Sequence, residues 1–313
     1  MRRNPALASE PPRLKKKSKW NLEVFSYNLM LFPGICMLLL FAVVPMFGIV
    51  IAFQNYIPAR GILGSEWVGF DNFELMFSLP DSWNVLKNTL VLAISKMIVG
   101  TIVPILFALM LNEVNLMRYK KFVQTAVYLP YFLSWVLLGG IFLSMLQLDG
   151  VVNHLIETCG GDPIMFMGSN KWAPVIMVVT DCWKNFGYGS IIYLAALSSV
   201  DGNLYEAAAI DGANRFKQIL HVTLPAIVPT IVLVSTLNLG NVLNAGFDQI
   251  FNMYNPRIYE SVDIIDTFVY RIGLVDLQFG LSTAVGLFKS VVSFILITLS
   301  YWLAKKFTGY RIF

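Results

Sequence analysis

The sequence predicts an all-α membrane protein with six transmembrane helices, and two observations point to this class. Of the 313 residues, 57% are hydrophobic and only 13% are charged, whereas soluble globular chains carry about 25% charged residues. The apolar residues also form six runs, each with the roughly 20 helical residues that cross a bilayer. Since the mean hydropathy is +0.65, a lipid environment is the expected one.

The six runs divide the chain into tails, spans and loops. Residues 1–24 form a basic tail, and the apolar run after it is too long for the core of a signal peptide. The tail either marks the cytoplasmic side or binds anionic lipid, and the first explanation is favoured. Its cationic cluster is Arg2, Arg3, Arg13, Lys15, Lys16, Lys17 and Lys19. The spans are expected near 25–53, 84–112, 119–147, 172–197, 222–244 and 281–304.

The basic residues predict which loops lie in the cytoplasm. Alternate loops collect most of them, and the loops on the opposite side hold fewer, which is the asymmetry of the positive-inside rule. With the N-terminus inside, the cytoplasmic ones are Arg118, Lys120, Lys121, Arg215, Lys217, Lys305, Lys306 and Arg311. We therefore expect the N-terminal tail, the loop 203–221 and the short C-terminal tail 305–313 to lie in the cytoplasm.

The loop 203–221 has a helical pattern of its own. Asn203 is a suitable N-cap, and Glu206 follows at the third helical position, as in a capping box. Asp211-Gly212 should end this helix, because glycine accepts the left-handed conformation at the C′ position. In a second short helix, Phe216, Ile219 and Leu220 are expected on the apolar face and Arg215, Lys217 and Gln218 on the polar face. An amphipathic connector lying on the membrane would show the same pattern.

The letters of this loop resemble the cytoplasmic coupling loop of permeases from binding-protein-dependent ABC importers. The matching string is E-A-A-A-I-D-G-A from Glu206, followed by an aromatic residue and by T-L-P. In that family the loop docks into a cleft on a separate ATPase subunit. The resemblance implies this coupling role for Glu206, Ala207, Ala208, Asp211, Gly212, Ala213 and Phe216.

The resemblance extends from about Trp20 to the end of the chain and implies a type I ABC importer permease fold. The strings at 69–73 and 245–280 resemble the oligosaccharide and polysaccharide branch, which includes the maltose-transporter-type permeases. Residues 25–85 would hold an accessory first helix and an outer loop, and residues 86–304 the transmembrane module. The segment 245–280 is expected to fold as a cap over the bundle.

The implied machine is a sugar importer of the bacterial inner membrane. A second homologous permease, two ATPase subunits and an extracytoplasmic sugar-binding protein would be the partners of this chain, along with membrane lipid, and no nucleic acid is expected. The chain itself would form the translocation path for an oligosaccharide, opening alternately to the two sides.

Four ionisable side chains lie within the expected spans, where each is a candidate for a functional site. Asp181 and Lys184 are one helical turn apart and are expected to form an ion pair. Lys96 and Lys289 have no partner visible in the sequence, so they should line water, pair with the second permease or reach the interface. The resulting excess of positive charge would favour an acidic sugar, such as a uronate-containing oligosaccharide. A neutral oligosaccharide is the alternative.

Aromatic rings and amides on spans three to five have the chemistry of a sugar site, since rings cover the C–H faces of sugars and amides pair with hydroxyls. On span five, the three asparagines form a winding polar stripe, which alternatively bonds neighbouring helices. Substrate contacts come from these three spans in the sugar permeases that the chain resembles, although Trp135 stands where a small hydroxyl residue is expected. The candidate substrate path is Tyr131, Trp135, Trp183, Asn185, Tyr188, Asn238, Asn241, Asn244, Lys96 and Lys289.

Motifs for catalysis and ATP binding do not occur in the sequence. It lacks G-x-x-x-x-G-K-[ST], H-E-x-x-H and G-x-S-x-G, and its three cysteines show no paired spacing. Neither catalytic residues, a metal site nor a cofactor is therefore expected in this chain, and ATP with Mg is expected on the partner ATPase. The alternatives are an ABC permease for another solute, such as amino acids or polyamines, and a membrane enzyme or channel.

Overall fold

The computed structural model describes residues 22–240 and 242–308, and side chains within residues 24–302. This part of the chain is almost entirely helical. Its α-helices are α1 Leu22–Leu38, α2 Val44–Met46, α3 Gly61–Gly64, α4 Asp71–Ser78, α5 Pro80–Asn112, α6 Met117–Tyr128, α7 Trp135–Met145, α8 Val151–Thr158, α9 Ala173–Ser198, α10 Gly202–Ile210, α11 Arg215–Gln218, α12 Leu224–Gly240, α13 Phe247–Met253, α14 Tyr259–Val262, α15 Ile265–Tyr270 and α16 Phe279–Thr308.

Short irregular elements join these helices. Two-residue strands, β1 Gln54–Asn55 and β2 Glu66–Trp67, pair in antiparallel fashion. The π-helical turns are Leu39–Val43, Ile219–Thr223 and Arg271–Val275. The 3₁₀ turns are Phe47–Phe53, Leu129–Phe132, Phe166–Gly168 and Pro256–Ile258.

The chain forms two units, residues 1–49 and residues 50–313. In the described part of the first unit, α1, a π-helical turn and α2 follow one another without interruption. Nearly all of its apolar side chains are exposed, Met30 and Phe41 among them. A helix with apolar residues all round is suited to a lipid environment or to burial against another subunit.

Four helical stretches of the described chain are long and apolar enough to cross a membrane alone: Val24–Phe53, Pro80–Asn112, Arg215–Gly240 and Phe279–Trp302. A fifth is possible only by joining two helices whose axes differ by 100°, Met117–Phe132 and Trp135–Met145. The third predicted span is therefore broken rather than continuous. The break follows the 3₁₀ turn at Leu129–Phe132, and Ser134 caps the new helix by accepting a hydrogen bond from Leu137 N at 3.4 Å.

The fourth predicted span, 172–197, corresponds to α9, which is long enough but too polar to be counted with the four. Its 26 residues extend about 39 Å at 1.5 Å per residue. The helix packs along α5 and also touches α6 and α12, so protein rather than lipid surrounds much of it. Hydropathy alone therefore finds fewer spans than the six predicted.

The principal core of the second unit lies between α5, α9 and the segment that follows α12. Ile250, Met253 and Val262 from this segment have no exposed surface. The segment 245–280 is folded, as predicted, and forms α13–α15. Its apolar side chains belong to the core and pack against the first turns of α9, at Ala173, Ile176 and Met177.

Candidate functional site

The loop between α9 and α12 is the first candidate, and its opening helix starts earlier than predicted. Helix α10 begins at Gly202, and Asp201 is the N-cap, accepting a hydrogen bond from Asn203 N at 3.0 Å. Asn203 as N-cap and a capping box with Glu206 are therefore wrong, because the carboxylate two residues earlier already satisfies the first free N–H groups. Glu206 lies inside the helix with its side chain exposed.

The glycine joint of this loop is confirmed. Gly212 has φ +78°. The N–H groups of Gly212 and Ala213 donate to the carbonyls of Ala209 and Ala208 at 3.0 and 2.9 Å. These two bonds are the Schellman motif, which places a left-handed residue at C′ and satisfies the last carbonyls of a helix.

The second helix of the loop differs from its predicted pattern at Gln218. Asn214 caps α11 by accepting from Lys217 N at 2.9 Å, and α11 passes through a π-helical turn into α12. Gln218 is buried and donates to Ala213 O at 3.2 Å, whereas Phe216 is 72% exposed. The prediction that Gln218 lies on the polar face is wrong, because its amide is buried against Ala213 O, whereas Arg215 and Lys217 are exposed.

The loop thus presents an apolar surface that its own chain leaves uncovered. Ile210 is 87% exposed, and Leu204 and Leu220 are exposed as well. On the inner side, Tyr205 Oη and Thr223 Oγ1 share a hydrogen bond of 3.0 Å that closes the loop. Of the predicted coupling residues, five are exposed, Glu206, Ala207, Asp211, Gly212 and Phe216, and two are half-buried, Ala208 and Ala213.

The second candidate is an open cavity of about 590 Å³ between α5, α9, α12 and the turn that ends at Phe132. Four predicted path residues line it, Tyr131, Asn185, Tyr188 and Asn238. Asp181 also lines it, although it is not among the predicted path residues.

Rings and amides meet in this cavity as the sugar hypothesis requires. The rings of Tyr131 and Tyr188 stack with centroids 3.9 Å apart and planes 7° apart, and both rings are partly exposed. Within the described residues, the side chains of Asn185 and Asn238 have no hydrogen-bond partner. Their amides are therefore available to a ligand that fills the cavity.

Other predicted path residues lie elsewhere. Trp135 packs against the core, and Trp183 contacts Phe142 edge-on at 5.6 Å, outside the cavity. Helix α12 ends at Gly240, so Asn244 follows the helix and is not on a helical stripe. The chain turns here to enter α13, with Gly246 in the left-handed region at φ +92°. Asn241 lies outside the described residues.

The predicted ion pair between Asp181 and Lys184 is wrong. Asp181 instead lies 3.8 Å from Lys96 Nζ. Lys96, whose side chain is 9% exposed and for which the sequence shows no partner, also donates to Ala245 O at 2.7 Å and to the side-chain oxygen of Gln249. Lys96 therefore joins the cavity wall to the beginning of the buried segment.

Gln249 is a further residue of this network that the sequence did not reveal. It is fully buried, and its amide donates to Met177 O and to Thr180 Oγ1, both at 2.8 Å. Every polar atom of its side chain is thus used, which holds α13 against α9. Its partners are remote in sequence, so no local pattern could have indicated them.

The remaining two lysines also have partners. Lys289 pairs with Asp266 at 2.5 Å, so it has a partner within this chain that the sequence did not reveal. Asp266 belongs to the segment 245–280, which follows α12. Lys184 donates to Tyr131 O at 2.6 Å and to Pro130 O at 3.4 Å.

A separate polar cluster holds the segment between the last two spans. Arg271 donates to Asp263 at 2.5 Å, and its guanidinium lies 4.5 Å from the ring centroid of Tyr259. Burial lowers the pKa of Arg271, but the hydrogen bond and charge of Asp263 outweigh it, so the pKa is raised. Burial, with the neighbouring Tyr259, raises the pKa of Tyr254 to about 12. With these raised pKa values Arg271 stays charged and Tyr254 stays neutral at ordinary pH, and the bond between Arg271 and Asp263 ties α14 to the turn after α15.

The described residues offer no metal or disulfide chemistry. They contain no group of three His, Cys, Asp or Glu side chains that could hold a metal ion. Cys36, Cys159 and Cys182 are free thiols. The candidate functional sites are therefore the loop between α9 and α12 and the cavity between α5, α9 and α12.

Comparisons with known proteins agree with one another. The family described as "Binding-protein-dependent transport system inner membrane component" matches residues 116–309. "Polygalacturonan/rhamnogalacturonan transport system permease protein YteP" of Bacillus subtilis (strain 168) is 47% identical over 280 residues, 89% of this chain and 87% of YteP.

Two solved structures match with a TM-score of 0.85 and 37% sequence identity. One is a bacterial ABC transporter involved in the import of the acidic polysaccharide alginate, covering 91% of this chain and 97% of that one. The other is a bacterial alginate ABC transporter in complex with an alginate pentasaccharide-bound periplasmic protein, covering 93% and 97%.

Proposed function

Because this chain belongs to the family of binding-protein-dependent transport system inner membrane components, we propose that it is the permease subunit of an ATP-driven oligosaccharide importer. The resemblance read from the coupling loop is thereby confirmed at the level of the family. A transport component of this kind is not an enzyme, which argues against the membrane-enzyme alternative. The name of YteP favours a saccharide over amino acids or polyamines.

The observation that carries the proposal is the cavity lined by Tyr131, Tyr188, Asn185 and Asn238. A stacked pair of rings offers a flat apolar face for a sugar ring, and two unpaired amides offer hydrogen bonds for hydroxyls. The volume of about 590 Å³ lies within the roughly 300–1,000 Å³ of typical ligand sites.

We further infer that the substrate is acidic. The relatives' names refer to polygalacturonan and to the acidic polysaccharide alginate. The charge argument from the sequence becomes smaller, because Lys96 and Lys289 have carboxylate partners. Lys184, the third of these lysines, does not line the cavity, so the inference rests on the relatives.

The proposed machine contains a second permease, two ATPase subunits that carry ATP and Mg, and an extracytoplasmic binding protein. The solved complex with a periplasmic protein supports the last of these. In the bacterial cytoplasmic membrane, this chain would cross six times, with both termini inside. The six spans would be the four apolar stretches, α9, and the broken pair Met117–Phe132 and Trp135–Met145. The exposed apolar surface of the loop would dock on an ATPase, and its motion would open the cavity to each side in turn.

The test is uptake by the complete complex in proteoliposomes. Asn185→Ala and Asn238→Ala should each lower uptake of an oligogalacturonide about tenfold, the value of one lost hydrogen bond to a hydroxyl. Asn55→Ala, an exposed amide outside the cavity, is the control.

Full uptake in both cavity variants would exclude this cavity as the sugar path. Uptake without ATP would indicate a channel, and modification of the sugar would indicate an enzyme. Equal ATPase stimulation by binding proteins loaded with acidic and with neutral oligosaccharides of one length would contradict the inference about charge.

A further inference from the structure

Lys184 is the one of the three lysines on α5, α9 and α16 discussed above that has no carboxylate at ion-pair distance within the described structure. The residue is buried, with 7% of its surface exposed. An ammonium in such a place has to be compensated by other polar groups. Its partners are two backbone carbonyls, at 2.6 Å on Tyr131 and at 3.4 Å on Pro130.

These carbonyls belong to the end of a helix in the middle of a broken span. The 3₁₀ turn Leu129–Phe132 ends at the break, after which the chain is extended at Leu133. Pro130 O already accepts a hydrogen bond from Leu133 N at 3.2 Å, whereas Tyr131 O is one of the helix-end carbonyls that lack a partner within the helix and carry partial negative charge. Lys184 supplies the positive charge that such an end requires, in a place where water is scarce.

The ammonium also contacts the rings on both sides of the break. It lies 5.3 Å from the ring centroid of Tyr131 and 5.8 Å from that of Trp135. Both distances are within the roughly 6 Å range of cation–π attraction. A single cation from α9 thus links the last turn before the break to the first turn after it.

One turn of α9 holds the break through a second contact. Tyr188 follows Lys184 by four positions, so both side chains lie on the same face of α9. The ring of Tyr188 stacks on that of Tyr131 at 3.9 Å. Lys184 therefore fixes the backbone of the residue whose ring is the partner in the stack.

We propose that Lys184 is a positioning residue that holds the broken span so that Tyr131 and Tyr188 form a sugar-stacking platform. It is not a substrate ligand itself, because it does not line the cavity. This inference rests on the proposed function, in which the cavity receives a sugar. It assigns the buried charge to the shape of the site and not to electrostatic attraction of the substrate.

The test is a double-mutant cycle in the complete complex, with oligosaccharide uptake and basal ATP hydrolysis as readouts. Lys184→Met and Tyr188→Ala should each lower uptake about tenfold, which corresponds to the value of one aromatic stacking contact. The double variant should be no worse than Tyr188→Ala alone. Lys184→Arg should retain uptake, since a guanidinium can donate to the same carbonyls.

Lys171→Met is the matched control, because Lys171 also lies near a tryptophan ring, at 6.0 Å from the centroid of Trp172, but outside the cavity. It should leave uptake unchanged. If the Met variant does not assemble, Lys184→Gln retains hydrogen-bond donors without charge and enters the same cycle. The positioning role would be overturned if a Lys184 variant lowered uptake by the same factor in the Tyr188→Ala background as in the original protein.

The two proposals fail in different ways. If Tyr188→Ala leaves uptake unchanged, the cavity is not the sugar site and the proposed function is contradicted there. If Tyr188→Ala lowers uptake while Lys184→Met has no effect, the sugar site stands and the positioning role of Lys184 is refuted.

Discussion

Replacement of Gly212 by valine tests the coupling role of the loop most directly. Gly212 has φ +78°, and a Cβ built on it would meet no atom within 4 Å. The substitution therefore adds no clash with the rest of the chain. Its whole effect is the conformational cost of a left-handed residue that carries a side chain.

The magnitude follows from this geometry. A left-handed conformation costs a non-glycine residue about 1–2 kcal/mol, and a β-branched residue lies at the upper end. An energy of that size changes the population of the native turn about 5- to 30-fold. Gly212→Asn should cost less, because asparagine tolerates the left-handed region.

The assay compares sugar uptake with ATP hydrolysis in the reconstituted complex. Gly212→Val should reduce the uptake per ATP hydrolysed, or release the ATPase, while Gly212→Asn stays close to the original protein. Gly202→Ala is the control, because Gly202 lies in the same loop with equal free space and no left-handed φ. Unchanged coupling in Gly212→Val, or the same loss in Gly202→Ala, would refute the reasoning.

Two further predictions concern the buried polar network. Gln249→Leu should lower the unfolding temperature of the complex by several degrees, because it removes the buried hydrogen bonds of Gln249 with Lys96, Met177 and Thr180 at a cost of about 1–3 kcal/mol. The exposed variant Gln278→Leu should leave the unfolding temperature unchanged, and equal melting curves for the two variants would contradict this. Lys289→Met should destabilise by somewhat less than the roughly 3–5 kcal/mol of a fully broken buried pair, since both partners are partly exposed. Adding Asp266→Asn should recover part of that loss in thermal unfolding, and a double variant as unstable as the single one would argue against the pair.

The features that were predicted correctly depend on local chemistry. Gly212 is recognisable because a left-handed helix end favours glycine within a few residues of sequence. Long apolar stretches such as Pro80–Asn112 are recognisable because composition alone places them in lipid. The family was indicated by the string beginning at Glu206.

The charged contacts were mispredicted because their partners are distant in sequence. Lys96 and Gln249 are separated by 153 positions, and Lys184 and Tyr131 by 53 positions. The rule that favours pairs one helical turn apart indicated Asp181 with Lys184. The sequence did not reveal that the carbonyls of Pro130 and Tyr131 end a helix and bind Lys184. A proline at position 130 is also compatible with a continuous span, so the break could not be predicted.

The segment 245–280 shows a third kind of limit. Its acidic and amide residues resemble those of a surface loop, yet Asp263, Asp266 and Gln249 find partners within the fold. Polar composition therefore indicated exposure where it marks internal pairing. A buried polar residue and an exposed one look alike until the fold shows what surrounds them.

The continuity of α11, the π-helical turn and α12 joins the loop between α9 and α12 to one long helical stretch. The stretch Arg215–Gly240 has 26 residues, so it is about 39 Å long. A tilt of about 10° at one end would displace the other by about 7 Å over that length. Asn238, near the far end, belongs to the cavity wall. A small rotation imposed at the loop would therefore move the wall of the proposed sugar site.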